Sequence, residues 1–147
     1  MTLSKIWIIV FVCLLLVGNV LLGHYEAPNG MVLSPLVAAC MTWLIMFHGP
    51  QCPPYVQTGV CALLLALQDI GIKLTAGGSH DAEGQGVMNL MVLLGALLSL
   101  GFITSALWKQ KQVAWWLRLA ALSLFPLLIL LHLELFNALG EGRYYKL

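Results

Sequence analysis

Residues 6–23 read IWIIVFVCLLLVGNVLLG, a run without a single charged side chain. A helix rises about 1.5 Å per residue, so a run of this length crosses most of a hydrocarbon core about 30 Å thick. Lys5 stands just before it, as a basic residue stands before the core of a signal peptide. A signal core, however, typically spans about 7–15 residues and is followed by an A-x-A-like cleavage site. This run is longer, and His24, Tyr25 and Glu26 follow it with no such site. The segment is therefore expected to be a retained transmembrane helix.

The same pattern recurs along the chain. Apolar runs cover residues 31–47, 55–74, 87–108 and 114–139, separated by polar or turn-forming residues such as Pro28-Asn29-Gly30 and His48-Gly49-Pro50. The 31–47 run is barely long enough to cross a bilayer. Composition agrees with the runs. The chain is 61% hydrophobic and 9% charged, with a mean hydropathy of +0.92. A soluble domain carries roughly 25% charged residues, and 9% cannot coat a globule with a solvated surface. The expected fold is an all-α integral membrane protein. It is a single polytopic domain over residues 1–147, a bundle of about five transmembrane helices with short loops and no soluble domain.

A four-span alternative would make the second run re-entrant. The aromatic residues argue for five, because Trp and Tyr prefer the membrane interfaces. With five spans, Trp7, Trp43, Tyr55, Trp108, Trp115 and Trp116 all fall on one side. A re-entrant second run would take Trp43 out of that belt. The tryptophan side also holds Lys5, Lys109, Lys111 and Arg118, against Lys73, Arg143 and Lys146 opposite. Lys109 and Lys111 occupy a very short loop, where basic residues count most for orientation. The N-terminus is accordingly expected in the cytoplasm and the C-terminus outside, in a bacterial inner (plasma) membrane.

A net charge of +1 provides no basic surface for nucleic acid. The expected partners are membrane lipids, with Lys109, Lys111 and Arg118 near anionic headgroups. Other membrane subunits are also candidates, through the small residues Gly95, Ala96, Ser99 and Gly101. Cys13, Cys40 and Cys61 lie inside apolar runs and Cys52 in a loop, with no spacing that marks a disulfide framework or zinc knuckle. Pro126 interrupts the last run and is expected to kink it, tilting its far end.

Chemistry is most readily placed on the side away from the tryptophans. All six carboxylates, Glu26, Asp69, Asp81, Glu83, Glu134 and Glu141, fall there. So do His24, His80, His132, Asn19, Gln68, Asn89 and Asn137. Ionisable groups within a span cost a few kcal/mol or more and usually face a bundle interior or wet cavity. Asp69 and Glu134 are the carboxylates inside apolar runs. Lys73, four residues from Asp69, lies on the same helix face and offers it a simple ion pair. The glycine-rich loop 75–86 holds Ser79, His80, Asp81 and Glu83, and loops of about that length are often functional.

Two chemistries fit this distribution. His24, His80 and His132 with Asp81, Glu83 or Glu134 supply ligand types for zinc or another divalent metal, although no spacing fixes their geometry. In particular, His132 and Glu134 project from different helix faces. Without a metal, Asp69, His80, Asp81, Glu83 and Glu134 supply acid and base groups for work on a lipid or membrane-associated substrate. A third account is structural, with polar helix ends, an Asp81 or Ser79 cap and glycine connectors.

Three function classes follow: an outer-interface site of metal or acid–base type, a non-enzymatic accessory subunit of a larger membrane complex, and an oligomeric transporter or channel. Transport has the least support, because the tryptophan half is strongly apolar, with Gln57, Thr58, Ser99, Thr104, Ser105 and Ser123 as its main polar groups.

Overall fold

The computed structural model of the chain describes residues 3–75 and 82–139. The described residues form five helices and no strand: α1 (Leu3–Tyr25), α2 (Ala27–His48), α3 (Pro54–Thr75), α4 (Ala82–Lys109) and α5 (Trp115–Phe136). Each is long and apolar enough to cross a membrane.

The helices begin and end partly where the residue pattern predicts. Pro28-Asn29-Gly30, expected as a turn, belongs instead to the first turn of α2, and the chain reverses around Glu26. Proline is accepted in a first helical turn because its missing N–H would have had no intrahelical partner there. Asn29 Nδ2 donates to Glu26 Oε2 at 2.9 Å and fastens the turn. This adds a full turn to the short second span. Likewise α4 starts at Ala82, so Glu83 to Gly86 are helical and not loop. Glu83 lies in the first turn of α4, where the helix dipole favours a carboxylate. The Ser79 and Asp81 caps fall outside the described residues. α5 continues as helix through Pro126.

α3 is the central helix, packed against each of the other four, while α1 touches only α2 and α3. The central helix is also the least apolar span, and it buries Gln57, Thr58, Gln68, Asp69 and Lys73. Polarity is thus inverted relative to a soluble protein. Lys73 is the largest fully buried side chain among the described residues, while Leu14, Leu36, Leu97 and Leu130 face outward. Such an arrangement is stable only where the surrounding solvent is itself apolar.

Small residues bring the helices close. A Cβ on Gly30 would lie 2.3 Å from the Cα and N of Gly23, so α1 and α2 touch backbone to backbone there. Gly95 lies against Ala38 and Pro35, and one turn on Ser99 accepts a hydrogen bond from Thr42 at 3.0 Å. Gly95 and Ser99, expected as possible intersubunit residues, therefore serve the α2–α4 contact within the chain. A continuous apolar core including Ala38, Met41, Leu65, Val92, Ile103 and Phe125 fills the middle of the bundle.

Strict alternation of direction gathers the helix ends into two groups. At one end Lys109 Nζ lies 5.0 Å from the centre of the Phe47 ring, and Gln110 reaches Gln57. The Trp residues belong to this end. At the opposite, polar end His24 bonds Thr75, and α4 meets the end of α5.

Candidate functional site at the polar end of the bundle

Asp69 projects from α3 into the bundle and is almost wholly buried. Its Oδ2 accepts from two sides, Lys73 Nζ at 2.8 Å and His132 Nε2 at 2.7 Å. The Lys73 contact follows from helix geometry, since residues four apart stack on one face. The His132 contact does not, because it joins α3 to α5 across 63 residues of sequence. The His132 ring also stacks on Phe136, one turn further on, with ring centres 5.2 Å apart.

Lys73 does more than pair with Asp69. Its ammonium also donates to Asn89 Oδ1 at 2.8 Å and to the backbone oxygen of Phe136 at 2.9 Å. Phe136 ends α5, and the last carbonyls of a helix lack intrahelical partners and carry the negative end of its dipole. A buried cation therefore closes that helix. Asn89 Nδ2 donates to Asn137 O at 3.3 Å, and Gln85 Nε2 to Leu139 O at 2.7 Å. His24 Nδ1 reaches Thr75 O, the last carbonyl of α3, at 2.8 Å. Much of the one-sided polarity is thus helix-end capping.

A second polar group lies beside the first. Gln68 Nε2 donates to Ser34 O at 3.1 Å, and Asn19 Nδ2 to Ser34 Oγ at 3.3 Å, tying α1, α2 and α3 together. Asp69 Oδ1 and Gln68 Oε1 have no hydrogen-bond partner among the described residues. Both residues line a cavity of about 10 Å³, together with Ser34 and apolar residues of α2, α3 and α4. That is close to the volume needed for a single water, which could donate to both oxygens.

The predicted site residues separate. Asp69 and His132 come together. His24 is exposed at the helix ends, and Glu83 is exposed in the first turn of α4. Glu134 is exposed on α5, on a different face from buried His132, as the H-x-E spacing implies. His80 and Asp81 lie outside the described residues. No group of three His, Cys, Asp or Glu side chains among the described residues is placed to hold a metal ion. The cysteines Cys13, Cys40, Cys52 and Cys61 are free.

His132 is the residue that joins the buried cluster to the outside. It is 6% exposed, and it lines a groove of about 370 Å³ between α3 and α5. The remaining lining is apolar: Gly59, Ala62, Leu63 and Ala66 from α3, with leucines and Phe136 from α5. A neutral imidazole whose Nε2 donates to Asp69 presents Nδ1 as a proton acceptor. The bond to Asp69 engages Nε2 and leaves Nδ1 as the other ring nitrogen. No family model, no curated protein and no solved structure matches this chain.

Proposed function

We propose that the chain is a small membrane enzyme whose acid–base site, built on Asp69 and His132, acts on a lipid lying in the α3–α5 groove. The observation that carries this reading is the double position of His132. On one side its imidazole is anchored by a buried carboxylate, and on the other it fronts an apolar groove. A carboxylate that fixes the tautomer and orientation of an imidazole is a recurrent support for general-base catalysis. In this reading His132 accepts a proton from an attacking hydroxyl or water and returns it to the leaving oxygen. The groove holds an acyl chain and so positions the head of the lipid at the imidazole. Lys73 balances the Asp69 charge.

The proposed setting is a bacterial inner membrane, with the N-terminus and tryptophan end cytoplasmic and the polar end outside. The tryptophan belt and the Lys109–Lys111 loop support this orientation, and helical rather than barrel spans suit that membrane.

The alternative is an accessory subunit in which the same cluster only pins α3 to α5. The capping roles of Lys73, Asn89 and Gln85 favour it. A transport role has little support, since Cys61, Ala62 and Leu65 are the buried α3 residues between Thr58 and Gln68.

The test uses the protein reconstituted in vesicles of total bacterial lipid extract, with lipid species followed by mass spectrometry. Conversion of a lipid class by the parent protein, lost in a folded His132→Gln variant, supports the enzyme. Identical lipid profiles for both, together with stable co-purification of another membrane protein, would favour the accessory subunit.

A further inference from the structure

At the tryptophan end, α4 and α5 diverge around a second cleft of about 300 Å³. Its lining includes Thr104, Leu107, Trp108, Trp115, Arg118 and Leu122. Arg118 is half-buried, and its Nε is shielded from solvent with no hydrogen-bond partner among the described residues. Among the described residues it also has no ion pair. A guanidinium is always charged and carries five donors in a planar fork suited to phosphate. An arginine without a partner among the described residues, on the wall of an apolar cleft, therefore calls for an anion that brings its own apolar body.

The surrounding charge has one sign. The described carboxylates Glu26, Asp69, Glu83 and Glu134 all lie on the opposite half of the bundle, so none is available to Arg118. Lys109 and Lys111 lie nearby at the end of α4 and in the α4–α5 connection, and Lys109 is drawn toward the Phe47 ring. Trp108 and Trp115 are strongly exposed at the mouth of the cleft, as residues at the level of lipid headgroups are.

We propose that this cleft binds one anionic phospholipid, with its phosphate on the Arg118 guanidinium and one acyl chain along Leu107 and Leu122. The site is independent of the Asp69–His132 cluster, from which it is separated by the apolar core. It differs from diffuse attraction of lysines to a charged surface, because Arg118 is partly withdrawn from water and faces an apolar wall.

The test is fluorescence quenching in a variant carrying Trp7→Phe, Trp43→Phe and Trp116→Phe, so that Trp108 and Trp115 alone report. It is reconstituted in phosphatidylcholine with small fractions of dibrominated phosphatidylglycerol or dibrominated phosphatidylcholine. The expected relative affinity for the anionic lipid is about tenfold higher, the scale of one charge-assisted hydrogen bond. Arg118→Gln should abolish the preference, whereas Lys109→Gln with Lys111→Gln should retain most of it. Equal quenching by the two lipids would overturn the proposal without any variant. A preference that survives Arg118→Gln, or disappears with the lysines alone, would overturn it too.

Discussion

His132 Nε2 approaches Asp69 Oδ2 to 2.7 Å, on the same oxygen that Lys73 reaches at 2.8 Å. One carboxylate oxygen therefore joins three side chains from two helices, while its twin faces a small internal cavity. Lys73 and Asp69 are both almost fully buried, so neither charge has water to turn to if the other is removed.

Removing one member of the pair is expected to cost about 3–5 kcal/mol, because it leaves an uncompensated buried charge. Asp69→Leu and Lys73→Met should each show this loss in unfolding titrations in detergent. Combining the two should recover most of it, since an apolar pair of similar volume is often as stable as the ion pair. A double variant as unstable as either single one would mean that the hydrogen bonds to His132, Asn89 and Phe136, not the charge balance, hold the cluster.

For His132 the expected effects on stability and activity differ in size. His132→Phe keeps a ring against Phe136 and leaves the Lys73–Asp69 pair intact, so stability should fall by only about 1–3 kcal/mol. Activity on the lipid substrate should fall by about 10²–10⁴, the usual contribution of a general base. Full activity in this variant would remove the acid–base reading.

Gly30→Ala should be among the most damaging small substitutions in the chain. Its Cβ would meet Gly23 backbone at 2.3 Å, and backbone cannot swing aside as a side chain can. Overpacking typically costs about 1–3 kcal/mol, and this one should reach or exceed the upper end. Gly59→Ala and Gly101→Ala are the controls, since nothing lies within 4 Å of a Cβ there. As mid-helix replacements they should stabilise slightly, by about 0.5–1 kcal/mol.

Orientation can be read from thiol labelling. Cys52 is exposed in the connection between α2 and α3 at the tryptophan end. With the N-terminus inside, a membrane-impermeant maleimide should miss Cys52 in intact cells and modify it in inverted vesicles. Asn29→Cys, at the polar end, should show the reverse. The opposite pattern for both sites would invert the protein and place the polar cluster in the cytoplasm.

The spans were legible in the sequence because each is a long apolar run bounded by polar residues. Their ends were less so. Gly30 reads as a turn residue, yet it is needed inside α2 to let α1 approach, and spacing does not distinguish the two uses. Glu83 to Gly86 read as loop because their polarity belongs to a helix end near headgroups. The Asp69–Lys73 pair was visible from its i,i+4 spacing. The His132 bond to Asp69 was not, since it depends on how α5 rotates and slides against α3. Asn89 and the Phe136 carbonyl as Lys73 partners were hidden for the same reason. The sequence did offer one usable sign, a histidine on the opposite face of α5 from Glu134, which the structure turns inward.

The backbone contact between Gly23 and Gly30 also bears on how the protein is made. Only the immediate surroundings of Glu26 separate α1 from α2, too little chain for one helix to settle while the other waits. In the proposed orientation the two would enter the bilayer together as a preassembled hairpin, carrying His24 and Glu26 across at its tip. A lesion at Gly30 would then act during synthesis, as a failure of delivery, before the folded bundle existed to be destabilised.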